Sequence, residues 1–242
     1  MRLVLLHGFT QTGGSWDPIR SLLLGHDVVA PDAPGHGINA TQDIDLPTAA
    51  AALARDQGKA VWIGYSMGGR LALHVALDHP DAVTGLVLVS TTPGIDDDGE
   101  RNARRAADDA LADEIEAGTT QVFIDRWLAG PLWATLPRER AGIPQRLANT
   151  PAGLASSLRR CGTGAQADLW PRLSTLAMPV LVLTGGLDRK FAVIGDRMAG
   201  SIPRATRVEI AGAGHAVPWE QPGEFAAAVH AWLSDAQGAR RP

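Results

Sequence analysis

Three side chains in this sequence form a set that can make a serine hydroxyl reactive. Ser66 stands in Gly64-Tyr65-Ser66-Met67-Gly68, a G-x-S-x-G pentapeptide between a short apolar run and an amphipathic stretch. A serine hydroxyl is weak until a neighbouring group takes its proton. Asp188 follows the apolar run 180–184 in Gly185-Gly186-Leu187-Asp188, and His215 follows 207–210 in Ala211-Gly212-Ala213-Gly214-His215. An imidazole held between a hydroxyl and a carboxylate moves such a proton. Each residue alone has a bland alternative: an ordinary turn, a helix cap, a packed loop histidine. The order serine, aspartate, histidine, each after a predicted strand, favours a catalytic set over three separate accidents.

The elements that must position these residues are legible as alternation. Runs at 2–6, 27–30, 60–64, 83–90, 180–184 and 207–210 are short and rich in Val, Leu and Ile, as buried strands are. Helical patterns at 18–24, 48–56, 67–77, 194–201 and 224–233 fall between or after them. The expectation is an α/β fold with a mostly parallel, doubly wound sheet. Residues 96–172 hold no strand-like run, and helices are expected at 100–117, 121–128, 138–148 and 152–160. That stretch is predicted to be a helical cap over the carboxyl ends of the sheet. The resulting division is a core of 1–95 and 173–236, a cap of 96–172 and a flexible tail of 237–242.

Two backbone donors are expected beside the serine. In a strand–serine–helix elbow one is the N–H after the serine, here Met67, and the other comes from the loop after an adjacent strand. That loop is His7-Gly8-Phe9-Thr10, and Phe9 N–H is the candidate. His7 and His36, the latter in Asp32-Ala33-Pro34-Gly35-His36-Gly37, are expected to organise their loops. Cys161 is expected to be a small buried residue.

Length and composition bound the remainder. A chain of 242 residues, 45% hydrophobic and 20% charged, suffices for one large α/β domain. A net charge of −4 offers no basic face for nucleic acid, and no nucleic-acid partner is expected. One cysteine excludes an intramolecular disulfide and a thiolate metal cluster. No apolar run approaches the ~18 residues of a membrane span, and the opening residues lack the pattern of a signal peptide. Gly162-x-Gly164 and Gly212-x-Gly214 lack the third glycine of a dinucleotide fingerprint. A cytoplasmic enzyme without metal or cofactor is expected. Its oligomeric state is not written in the sequence.

Longer segments carry a resemblance. They are Gly64-Tyr65-Ser66-Met67-Gly68-Gly69-Arg70, Gly186-Leu187-Asp188-Arg189-Lys190-Phe191, Ala213-Gly214-His215-Ala216-Val217 and, within the predicted cap, residues 123–132 and 157–166. With these the chain resembles the α/β-hydrolase superfamily over nearly its whole length, and within it the MenH (2-succinyl-6-hydroxy-2,4-cyclohexadiene-1-carboxylate synthase) family. The resemblance implies an α/β-hydrolase fold and a lyase of menaquinone biosynthesis. The implied substrate is a small polycarboxylate, 2-succinyl-5-enolpyruvyl-6-hydroxy-3-cyclohexene-1-carboxylate, from which pyruvate is eliminated with Ser66 as base and no metal or cofactor. It implies that Arg70, Arg104 and Arg146 bind carboxylates and that Trp127 lines the pocket, with Arg105 and Arg159 as possible substitutes. Read without it, the arginines are solvated helix charges and Trp127 and Trp133 core residues. The family usually carries an N-terminal hairpin before the His-Gly strand, and here Met1 opens that strand, so a shortened sheet edge is expected. Competing readings are a carboxylesterase using the same three residues and a ligand-binding protein with vestigial turnover. Cap arginines favour the polycarboxylate lyase, because a neutral ester has no charge for them to meet.

Overall fold

The six apolar runs become six strands, β1 (Arg2–Leu6), β2 (Asp27–Val29), β3 (Ala60–Tyr65), β4 (Val83–Val89), β5 (Val180–Gly185) and β6 (Ala205–Ile210). In this computed structural model, which describes residues 1–238, they pair in parallel in the order β2-β1-β3-β4-β5-β6. Three helices precede the long insertion: α1 (Asp17–Arg20), α2 (Leu46–Gln57) and α3 (Met67–Asp78). The insertion carries α4 (Asp98–Glu116), α5 (Thr120–Leu128), α6 (Ile143–Leu147) and α7 (Pro151–Cys161). After β5 come α8 (Arg189–Ser201), α9 (Val217–Glu220) and α10 (Pro222–Gly238).

Side chains of β1, β3, β4 and β5 alternate between two covered faces, which is why those runs are apolar nearly throughout, whereas the edge strands β2 and β6 stay partly exposed and β6 carries Arg207 and Glu209. Val4, Leu6, Trp62, Leu86, Leu88 and Val182 pack under α2, α3 and α8. Leu3, Leu5, Ile63, Val87, Val89 and Leu183 pack under α1, α9 and α10, with Trp219, Phe225 and Trp232. The chain leaves β1 for β2 on one side and returns to β3 on the other. The strand order therefore reverses between β1 and β3, where open α/β sheets leave a crevice at the carboxyl ends. The loops carrying Phe9 and Ser66 flank that crevice.

Glycines allow β3 and α3 to meet. A Cβ on Gly64 would lie 2.3 Å from the Gly68 carbonyl oxygen, and one on Gly68 would lie 2.1 Å from that of Leu6. Neither contact is possible for another residue.

Several expectations are corrected by the structure. The single helix expected over 138–148 is a 3₁₀ turn, Arg138–Arg140, followed by the five-residue α6. Gly142 at φ 64° is left-handed and breaks the run. Helix α8 begins at Arg189, well before the expected residue 194, because the Asp188 side chain accepts from Phe191 N. Helix α1 stops at Arg20. The expected flexible tail, 237–242, begins inside α10, and the remainder lies outside the described residues. No strand pairs outside β2 among the described residues, and no helix among them is long and apolar enough to cross a membrane.

The helices of the insertion share their own apolar cluster, with Ile115, Phe123, Ile124, Leu154 and Leu158, against which Phe9 packs. Polar contacts tie the same helices to the sheet loops. Arg160 meets both carboxylate oxygens of Asp43 at 2.9 Å. Asn149 Nδ2 donates to Thr10 O at 2.7 Å while its Oδ1 accepts from Gly37 N at 2.9 Å.

Two buried histidines hold those loops. His7 pairs Nδ1 with Gly8 O and Nε2 with Ala33 N, each at 2.9 Å. His36 pairs Nδ1 with Pro34 O at 2.9 Å and Nε2 with Thr10 N at 3.2 Å. A carbonyl only accepts and an amide N–H only donates, so both rings must be neutral with the proton on Nδ1. Burial holds both below the usual imidazole range, and the neighbouring His7 helps to push His36 down to about 3. A folded-state value below the unfolded one means that the unfolded chain binds more protons between them. Stability is therefore full above about pH 6.5 and declines as the pH falls toward 3. Urea unfolding measured between pH 7 and 4 is expected to show this decline, with a shallower slope in His36→Gln. An unchanged slope in that variant contradicts the assignment.

Candidate active site

Ser66 occupies the sharp turn between β3 and α3, with φ 52° and ψ −111°. Its backbone is held there by Ser66 N donating to Val89 O at 2.9 Å and by Thr91 Oγ1 donating to Ser66 O at 2.7 Å. The turn lifts the hydroxyl toward His215, whose Nε2 lies 3.1 Å from Ser66 Oγ. His215 Nδ1 lies 2.7 Å from Asp188 Oδ2. The other carboxylate oxygen, Oδ1, caps α8 through Phe191 N at 3.3 Å. The three residues singled out in the sequence thus meet in one hydrogen-bonded line. With the ring's Nδ1–H donated to Asp188, Nε2 is the acceptor that can take the serine proton.

His215 is only 2% exposed. Phe191, Tyr65 and Trp133 surround its ring at centroid distances of 4.6, 5.5 and 5.7 Å. The loop bearing it is clamped by Glu220, a buried carboxylate that takes Gly214 N at 2.7 Å and Ala216 N at 2.8 Å. Glu220 was not foreseen from the sequence, where nothing sets it apart from an exposed helix acid.

A cavity of about 190 Å³ opens beside Ser66. Phe9 and Met67 both line it, and neither backbone N–H finds a partner among the described residues. Two unpaired backbone donors on residues at a cavity wall are available to stabilise charge that develops on a ligand oxygen. Tyr65 Oη and Trp127 Nε1 are also buried without a partner, and both residues line the same cavity. Trp127 was expected there. Tyr65 was missed, although its place immediately before the elbow serine is a usable signal.

The arginines divide. Arg70 lies on the cavity wall, with Nη1 donating to Cys161 O at 2.5 Å and to Gln166 Oε1 at 3.3 Å. Burial lowers its pKa to about 10, so it remains a cation at neutral pH. Arg104 is also on the wall, its Nε fixed by buried Asp108 at 2.7 Å and its terminal nitrogens without a partner among the described residues. Arg146 departs from the expectation and does not line the cavity. It is 1% exposed, with Nε donating to Ala141 O at 2.7 Å and Nη1 to Thr10 Oγ1. Its guanidinium stacks behind Trp133 at 5.3 Å. Its Nη1 holds the loop that carries Phe9, and its Nε ties that guanidinium to the insertion. Arg105 is exposed and off the wall, and Arg159 is engaged by Asp113 and Glu116 at 2.6 and 2.8 Å. Neither substitutes. Cys161 is buried, and burial pushes its thiol up to about 12, so it is no nucleophile.

The sequence pattern of the alpha/beta hydrolase family matches residues 3–228. The chain is 31% identical to the 2-succinyl-6-hydroxy-2,4-cyclohexadiene-1-carboxylate synthase of Serratia proteamaculans, covering 96% of this chain and 92% of that protein. A Bacillus subtilis relative that bears the same synthase name provisionally is 36% identical over 96% of this chain and 90% of its own. The chain belongs to the MenH family of α/β hydrolases. The solved structure of MenH from S. aureus superposes with a TM-score of 0.89 at 32% identity, covering 98% of this chain and 94% of that one. MenH-family membership thus rests on both sequence and shape, across core and helical insertion together.

The burial of Arg146 and the exposure of Arg105 have a measurable consequence. Removing Arg146 leaves Ala141 O and the Thr10 loop without their donor, at a cost of about 1–3 kcal/mol. Arg146→Met is expected to lower the melting temperature by roughly 3–10 °C. Arg105→Met, at an exposed arginine off the cavity wall, is expected to change it by roughly 2 °C or less. Equal melting temperatures for the two variants would place Arg146 outside this role.

Proposed function

We propose that this protein is a carbon–oxygen lyase that eliminates pyruvate from 2-succinyl-5-enolpyruvyl-6-hydroxy-3-cyclohexene-1-carboxylate, a step of menaquinone biosynthesis. The observation that carries the reading is the cavity wall beside the Ser66–His215–Asp188 line. It holds Arg70, Arg104 and Lys190 and no aspartate or glutamate, and the substrate brings three carboxylates. Cationic forks and ammonium groups are the side chains that recognise such groups.

The residues support a 2,5-elimination. Ser66 Oγ, its own proton passed to His215, takes the ring proton at C2, alpha to the succinyl ketone. The electron pair left behind is delocalised onto the ketone oxygen, which the Phe9 and Met67 N–H groups receive. As the pair returns, it forms the C2–C3 double bond and shifts the ring double bond to C4–C5. The C5–O bond breaks, and the enolpyruvyl group departs as the enol form of pyruvate. The proton held by His215 returns to the departing oxygen, and the enol tautomerises. Asp188 stabilises the imidazolium that exists between the two transfers. Tyr65 and Trp127 offer neutral donors to the ring substituents.

In this reading the helical insertion, 96–172, is a cap on a core formed by 1–95 and 173–236. It supplies Arg104 and Trp127 and closes the cavity from above. The single buried cysteine fits a cytoplasmic place of work. A carboxylesterase would use the same serine, but it would leave the wall cations without a charge to meet.

Incubation with the enolpyruvyl substrate is expected to release pyruvate, detected by a coupled dehydrogenase. Ser66→Ala and His215→Ala are each expected to lower turnover by roughly 10³-fold or more with an unchanged circular dichroism spectrum. Asp188→Asn is expected to fall in the same range, through loss of the tautomer and of imidazolium stabilisation. No pyruvate from the wild-type protein, with ester cleavage instead, reverses the reading.

A further inference from the structure

Of the three wall cations, Lys190 is the one to which no particular substrate group has been assigned. It lines the cavity, yet it sits in the first turn of α8, where the helix dipole disfavours a positive charge. No carboxylate partners it among the described residues, and its only ring contact is a loose one, Nζ to Phe191 at 5.9 Å. The chain also prefers arginine strongly, and Lys190 is one of its two lysines. A side chain that breaks a local rule without local compensation marks a functional position. With Arg146 behind the wall, the two wall arginines leave one substrate carboxylate unmatched.

Position decides which carboxylate that is. Arg70 and Arg104 gather at the carboxyl end of α7, where Arg70 meets Cys161 O and Asp108, the partner of Arg104, takes Gly164 N at 3.3 Å. Lys190 instead neighbours Phe191, whose ring packs on His215 at 4.6 Å. His215 is the group that returns a proton to the departing oxygen, so the departing group must lie near that ring. Lys190 is also exposed, as a residue on the exit path must be. We propose that Lys190 is a third substrate-binding cation, the one that takes the carboxylate of the departing three-carbon group. An ammonium there steadies the leaving group in its reactive orientation and then exchanges it to water. A strongly hydrated point charge suits that hand-over better than a bidentate fork.

The inference rests on the lyase reading, and the test separates the two. Lys190→Gln is expected to raise KM for the tricarboxylate and the inhibition constant of pyruvate, each by about fivefold to tenfold. Inhibition by succinate, which mimics the succinyl arm alone, is expected to change less than twofold. Lys190→Arg, which keeps the charge, is expected to recover most of the pyruvate effect. Arg189→Gln, one residue away, exposed and off the wall, is the control and is expected to leave both inhibition constants unchanged. If pyruvate and succinate inhibition weaken together, or neither moves, while the wild-type protein releases pyruvate, Lys190 does not hold the leaving group and the lyase reading stands. If the wild-type protein releases no pyruvate, both fall.

Discussion

The backbone at Ser66 is the constraint on which the rest depends. A non-glycine residue at φ 52° and ψ −111° lies in a region that costs of order 1–3 kcal/mol and persists only where its surroundings over-determine it. Here the surroundings are the glycine contact between β3 and α3, the ladder to β4 and the Thr91 hydroxyl. Relaxing that turn would sink the serine oxygen back into the sheet edge and separate it from His215. The crevice between β1 and β3 gives the strained turn somewhere to project.

Around the turn, the loops at the sheet's carboxyl edge are held by side chains rather than by secondary structure. His7 and His36 tie the loop after β1 to the loop after β2, Asn149 and Arg146 bring the insertion to both, and Glu220 frames His215. Most of these groups are buried, where an unmade hydrogen bond has no water to replace it. Each is satisfied through several partners, so the loops hold one arrangement without regular pairing. Arg146 thus serves the Phe9 donor indirectly, through the loop it supports.

What the sequence disclosed and what it hid follow from the same physics. The six strands were legible to within two residues, the four central ones because strands buried on both faces must be apolar runs between turns and the edge strands β2 and β6 because short Val- or Ile-bearing runs between turn residues mark them. Ser66, Asp188 and His215 were legible because the elbow and the strand ends give them fixed local contexts. Residues 138–148 were misread because Gly142 and Pro144 interrupt a pattern whose composition otherwise suits a helix. Arg146 was misplaced because its partners, Phe9 and Thr10, lie more than 130 residues away along the chain. Burial of a guanidinium is decided by such distant carbonyls and hydroxyls, which leave no periodic trace. Glu220 and Asn149 were invisible for that same reason.

The acid-free wall of the cavity sits in a protein whose net charge is −4. A negatively charged ligand thus meets a protein of net negative charge in which the charged side chains of this one cavity wall are all cations. A cluster of like charges at one opening favours approach of a polycarboxylate with its carboxylates turned inward. Field lines from a cationic pocket with aromatic walls are concentrated at its mouth, and such focusing raises encounter rates by 10–10³ in proteins generally. The Debye length is about 8 Å at physiological ionic strength, so this guidance operates over the last molecular diameter of the approach. Discrimination against neutral metabolites of similar shape thus begins in solution, before any hydrogen bond is made.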